Sequence, residues 1–202
     1  MAIRTCWVTL GLSVSAIALS ACSSDPGHAM PSATPPSSEP GVTPPDPAPP
    51  KIANPLPAGV LSGDPCRALT PGQVTNLLGA PANGEAQDTG LAHMCHWANL
   101  DRGSSISVQF VYAWPDGLRN VYAKKNKGFF KELDPVQGYP VTAYGPEDER
   151  PTGRCGVAVG VADNAAFEAD VTISRSKVGQ ADACDSARRI SDAVITTLKG
   201  GA

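Results

Sequence analysis

Between Ser23 and Val60 the chain carries twelve prolines in thirty-eight residues and not one aromatic side chain. A stretch of that kind cannot bury enough apolar surface to offset its ordering entropy, so it is expected to stay disordered or polyproline-like. Any packed core is therefore confined to residues 61–202, which hold every aromatic residue except Trp7. A domain of about 140 residues can bury close to 68% of its unfolded surface, enough to fold alone. At roughly 3.1 Å per residue the proline-rich stretch reaches about 120 Å when extended, which suits a tether. Its last part, Lys51 to Pro57, is expected to lie against the domain.

What precedes the tether reads as an export signal. Arg4 supplies a positive start, and Trp7 to Leu19 is an apolar stretch broken by small residues. Leu19-Ser20-Ala21-Cys22 then resembles the lipobox of bacterial lipoproteins. That resemblance implies removal of residues 1–21 and attachment of fatty acyl chains, palmitate among them, through a diacylglyceryl group on the Cys22 thiol. Two acyl chains exceed the single chain that binds membranes only marginally, so anchoring would be stable. The expected organisation is a signal peptide over 1–21, lipidated Cys22 with a disordered linker over 22–60, and a globular domain over 61–202. The expected location is the outer face of the cytoplasmic membrane, with an envelope protein or cell-wall ligand as partner. A formal net charge of −3 argues against a nucleic-acid binder, which needs a basic stripe to release phosphate counterions. No run of eighteen apolar residues occurs, so no membrane-spanning helix is expected.

Cys6 leaves with the signal and Cys22 takes the lipid, leaving Cys66, Cys95, Cys155 and Cys184. An even set in an exported chain reads as two disulfides. Three connectivities are open. Cys66–Cys95 with Cys155–Cys184 is preferred, because each pair joins a helix start to a nearby strand. Each would close a loop of about thirty residues, worth roughly 3–4 kcal/mol. A zinc site is disfavoured, since no C-x-x-C occurs.

Caps and alternation give the elements. Thr70-Pro71-Gly72-Gln73 has a capping-box form with proline at the first helical position, and Gly79 stops that helix. Cys95–Leu100 and Ile106–Ala113 predict a hairpin turning at Asp101-Arg102-Gly103. Leu118, Val121, Tyr122 and Lys125 have helical spacing and predict a helix from Asp116 to Asn126. A short strand is expected over Val141–Tyr144. Cys155, Val157, Val159 and Val161 alternate into a turn at Asp163-Asn164, and Phe167, Ala169, Val171 and Ile173 alternate on the return. A last helix opens at Asp182 with Cys184, Ala187, Ile190, Val194 and Leu198 as its buried stripe. The expected fold class is α+β, a mainly antiparallel β-sheet with packed helices and two disulfides.

These residues resemble a known family. Asn54-Pro55-Leu56, the run Asp64 to Thr70, Cys95-His96-Trp97, Gly138-Tyr139-Pro140, the run Thr152 to Val161 and Asp182-Ala183-Cys184 stand in the order found in actinobacterial lipoproteins of domain-of-unknown-function family 3558. The mycobacterial lipoproteins LprB and LprC look like more distant members. The resemblance covers nearly all of residues 54–200; Ala183 departs from it where proline is common. It implies a lipid-anchored envelope protein and brings no established activity or catalytic residues.

No catalytic set is legible. His93 and His96 flank Cys95, but no G-x-S-x-G elbow occurs, and an oxidised Cys95 cannot attack. His93-Met94-Cys95-His96 could attract a soft metal such as copper, but reads better as two histidines flanking a structural disulfide. The G-x-x-x-G of Gly156 to Gly160 falls on a strand, the wrong context for phosphate cradling or helix pairing. Lys124, Lys125, Lys127 and Lys131 read as a solvated helix face, and Glu147-Asp148-Glu149 as a solvated loop. Neither cofactor nor metal is expected. Trp97, Tyr112, Trp114, Tyr139 and Tyr144 are the candidates for a ligand or partner surface, with core filling as the competing role. The expected function is a non-catalytic binding or protein-interaction module. An enclosed apolar cavity would point instead to a small-molecule or lipid carrier. A pocket joining His93 or His96 to a serine and a carboxylate would point to an enzyme.

Overall fold

The computed structural model describes residues 48–201. Residues 1–47, on which the expected signal peptide, the expected lipidation at Cys22 and most of the expected linker fall, lie outside the described residues. Seven strands form one sheet: β1 (Glu85–Asp88), β2 (His93–Asn99), β3 (Ser104–Phe110), β4 (Phe129–Val136), β5 (Tyr139–Gly145), β6 (Arg154–Ala162) and β7 (Ala165–Thr172). Their order is β1-β2-β3-β7-β6-β5-β4, and every neighbouring pair is antiparallel. Two meanders therefore meet where β7 lies beside β3. Helices α1 (Pro71–Leu78) and α3 (Ala183–Lys199) cover one face, α1 over β2 and β3, α3 over β6 and β7. The short α2 (Arg119–Tyr122) lies in the β3–β4 crossover. The molecule is mostly β with three helices and two disulfides, in keeping with an α+β packing.

The alternation that defines β6 and β7 also builds the core. Val157, Val159 and Val161 are buried opposite Ala169 and Phe167, whereas the intervening residues face away from α3. The α3 stripe of Cys184, Ala187, Ile190, Val194 and Leu198 is buried on it. Asp182 caps that helix by accepting from the Cys184 N–H at 2.7 Å. At α1, Thr70 and Gln73 satisfy each other's N–H groups, and Gly79 ends the helix in the left-handed conformation. Gln73 also donates to Ala193 O at 3.0 Å, joining α1 to α3. The bridges are Cys66–Cys95 and Cys155–Cys184, each tying a segment next to or in a helix to a core strand.

Three expectations are corrected. The helix placed over Asp116–Asn126 is four residues long, Arg119–Tyr122, framed by turns. Leu118, Val121 and Tyr122 are buried at the expected spacing, but Gly117 (φ +54°) precedes them in a left-handed turn. That turn packs so closely that a Cβ at Gly117 would come within 2.8 Å of Ala165 N. The lysine face dissolves with the helix, because Lys131 lies on β4. Strands β1 and β4 were not expected. Both are sheet edges, β1 exposed at every residue and β4 carrying Pro135 and a register shift, so neither shows alternation. Among the described residues no helix is long and apolar enough to cross a membrane.

Candidate functional site

The residues ahead of α1 do not hang free. Leu56 N–H donates to Val161 O at 2.9 Å, and Asn54 O accepts from the Tyr139 hydroxyl at 2.9 Å. Leu56 is buried, and Ile52, Val60 and Leu61 pack against the core. Across from this segment β3 ends at Phe110, and the chain turns through Val111–Trp114, held by Ala113 N–H to Leu91 O at 3.1 Å. Between the two runs opens a cleft of about 590 Å³, floored by Phe110 and the β6–β7 turn at Ala165. Tyr112 and Trp114 line it opposite Leu56 and Val60.

A polar trio stands at the Tyr112 rim of this cleft, which His93 lines and Asp88 does not. The Tyr112 hydroxyl donates to Asp88 Oδ1 at 3.0 Å, and His93 Nδ1 stands 3.4 Å from Asp88 Oδ2. The His93 and Tyr112 rings are 5.1 Å apart. The Gly90 N–H, then the Tyr112 hydroxyl, hold the Asp88 carboxyl below its usual range, and the His93 charge adds to this. Desolvation pushes the Tyr112 phenol up, and its bond to Asp88 pushes the same way. The trio pins the Tyr112 ring at the rim, half exposed, so that the ring edges the cleft without filling it.

The five aromatic candidates divide. Tyr112 and Trp114 form the cleft wall. Tyr144 is half-buried behind it, its ring edge-on to Trp114 at 5.9 Å, in the cluster that α2 makes with Ala158 and Phe130. Trp97 and Tyr139 are corrected to core residues, 3% and 4% exposed. Each belongs to an inward-facing strand position, and an aromatic there is spent on filling the space under the helices. His93 reaches the cleft, whereas His96 faces the other side of the sheet.

On that side a row of polar residues crosses three strands. Ser107 is paired with His96 on β2 and with Asp170 on β7, and His96 Nδ1 lies 3.0 Å from Ser107 Oγ. Asp170 accepts from Gln109 Nε2 at 2.9 Å, and Glu168 stands one row along. Surrounding protein pushes both carboxyl groups upward. For Glu168 the Asp170 charge adds to this, and the Tyr144 hydroxyl and Lys124 oppose it. For Asp170 the Gln109 bond and Arg154 oppose. A serine between an imidazole and a carboxylate suggests a nucleophile, but Ser107 sits mid-strand in a ladder bonded on both sides. Its neighbours' N–H groups are committed, so no paired backbone donors face a developing oxyanion. Among the described residues no three His, Cys, Asp or Glu side chains are grouped to hold a metal ion.

Sequence reading missed Asp88, which lies in the fully exposed tetrapeptide Glu85-Ala86-Gln87-Asp88 with no pattern. It also passed over Glu168 and Asp170, although these are the outward half of the alternation that marked β7. Asp148 and Glu149 are not merely solvated: they pair with Arg150 at 2.6 Å and Arg154 at 3.3 Å.

Fold and site together define a disulfide-braced α+β domain with an aromatic-walled cleft open to solvent. The chain matches the family described as protein of unknown function (DUF3558) over residues 17–197, and it belongs to that family. No curated protein matches it.

Proposed function

We propose that this chain is a non-catalytic, lipid-anchored binding module on the outer face of the cytoplasmic membrane. A protein partner in the envelope would insert an apolar side chain into the Tyr112–Trp114 cleft. One observation carries the reading: two aromatic residues placed at a strand–turn junction stand over an open apolar cleft of about 590 Å³. Tyr and Trp supply large contact area at low entropic cost, and they anchor interfaces when such a cleft receives them. The anchor rests on Leu19-Ser20-Ala21-Cys22 behind an apolar stretch, and the reach on the proline-rich tether. Within its family the order of motifs supports an actinobacterial, LprB/LprC-like member.

The second reading is a small-molecule or lipid carrier, favoured by the cleft volume, which lies within the range of ligand pockets. The two separate in one experiment. A photo-cross-linking residue replaces Ala58, exposed on the cleft lining, in the full chain expressed in its own envelope. A discrete protein adduct that disappears with W114A supports the partner module. A lipid-sized adduct supports the carrier, and adducts indifferent to W114A remove both. Mass analysis of the same material should show a first residue Cys22 bearing acyl chains; any other start, or no acyl mass, overturns the anchor.

A further inference from the structure

A second cavity, sharing no lining residue with the aromatic cleft, lies between the end of α1, the adjoining ends of β3 and β7, and α3. Its volume is about 510 Å³. Leu78, Ile106, Ile173 and Ile190 give it an apolar floor. Arg102, Lys177 and Arg189 line it as well, and no carboxylate does. These three cations come from the β2–β3 turn, the segment after β7 and α3, so only the fold brings them together.

None of the three has an ion-pair partner among the described residues. Arg189 donates to an uncharged acceptor, Ser186 Oγ, at 2.8 Å. The acids of α3 and its cap have other partners: Asp182 caps the helix, Asp185 pairs with Arg188 at 3.7 Å, and Asp192 accepts from Gln137 Nε2 at 2.9 Å. Gly79 leaves room for the Arg102 guanidinium, whose Nη1 would stand 2.9 Å from a Cβ there. Like charges gathered over an apolar floor repel one another, and an anionic head set among them relieves that repulsion.

We propose that this cavity binds a single-chain anionic amphiphile of the fatty-carboxylate class. The chain would lie on Leu78, Ile106, Ile173 and Ile190, and the head would sit among Arg102, Lys177 and Arg189. A free inorganic anion would leave the floor uncovered, and a neutral amphiphile would leave the cations unpaired. The proposal is independent of the aromatic cleft and of the lipid anchor.

Calorimetric titration of the full chain tests it, with decanoate as probe and decyl maltoside and inorganic phosphate as controls. The expected result is saturable one-to-one decanoate binding, with both controls at least tenfold weaker. Added salt should weaken it, because the paired charges lie near the surface. R102Q/R189Q should lower decanoate affinity at least tenfold. N76E places a carboxylate on the exposed cavity rim without touching the core and should do the same, which keeps the test sound if the double variant misfolds. The proposal is overturned by absence of saturable decanoate binding, by decyl maltoside or phosphate binding as tightly, or by N76E leaving the affinity unchanged.

Discussion

Asp170 lies over Gly156. The two are paired across β7 and β6, and a Cβ at position 156 would come within 2.6 Å of Asp170 Oδ1. Position 156 is thus reserved for glycine by a neighbour's carboxylate, not by backbone conformation. Gly156→Ala should displace that carboxylate from its bond with Gln109 and destabilise the domain by about 1–3 kcal/mol. Denaturant unfolding measures the loss. Asp170→Ala in the same chain should make Gly156→Ala nearly neutral, a coupling that a double-mutant cycle reads directly. Additive losses would mean that the two positions do not interact.

The adjacent carboxylate, Glu168, gives the molecule a pH dependence with a definite sign. Burial comes first among the causes that raise it, from an ordinary 4.5 to about 8, with the Asp170 charge adding. A carboxyl whose folded value is raised contributes stability fully below its unfolded value and loses it as pH rises through the folded one. Thermal stability should therefore fall between pH 5 and pH 8. Glu168→Gln, neutral throughout, should flatten that slope and raise the melting temperature at pH 8. A wild-type curve that rises over the same range would show that Glu168 is ionised in the fold.

The two disulfides should be separable in effect. Each closes a loop with a sequence separation of 29, worth about 3–4 kcal/mol by chain entropy. C155A/C184A opens the junction of α3 with β6, at the centre of the sheet. C66A/C95A opens the edge beside β1, where Gly84 lies against the bridge. Both pairs should cost comparable stability in denaturant melts. Only loss of Cys66–Cys95 should also quicken amide exchange in β1, which has one neighbouring strand.

What was legible in the sequence was whatever a local rule could express. Thr70 and Gln73 declared a helix start because the capping box is written in four consecutive residues. Val157, Val159 and Val161 declared an inward face because a pleat repeats every two. Trp114, one of the five aromatic candidates, precedes a Pro-Asp-Gly turn, and it does line the cleft. Trp97 and Tyr139 have the same chemistry, but only the helices above them decide that they are core. All of β1 and half of β4 face solvent, so no alternation was imposed on them. The cation set of Arg102, Lys177 and Arg189 spans three separate elements and has no local signature at all.

Gln137 is the one described residue other than glycine with a positive φ, +51°, and it forms the β4–β5 hairpin turn with Gly138. Two left-handed residues in a two-residue loop match the twist of the flanking strands, which explains why the turn has this geometry. It does not explain a glutamine, since a non-glycine residue there costs about 1–2 kcal/mol. The side chain supplies the reason. Its amide is shared between Asp192 and Thr196 of α3 at 2.8–3.1 Å, and its carbonyl accepts from Lys199 Nζ at 3.0 Å. Gln137→Ala keeps the backbone cost and loses the bonds, so it should destabilise the domain by about 1–2 kcal/mol. Gln137→Gly loses the same bonds but sheds the backbone cost, and should fall within about 1 kcal/mol of wild type. Equal losses for the two variants in denaturant unfolding would place the cost in the bonds to α3 alone.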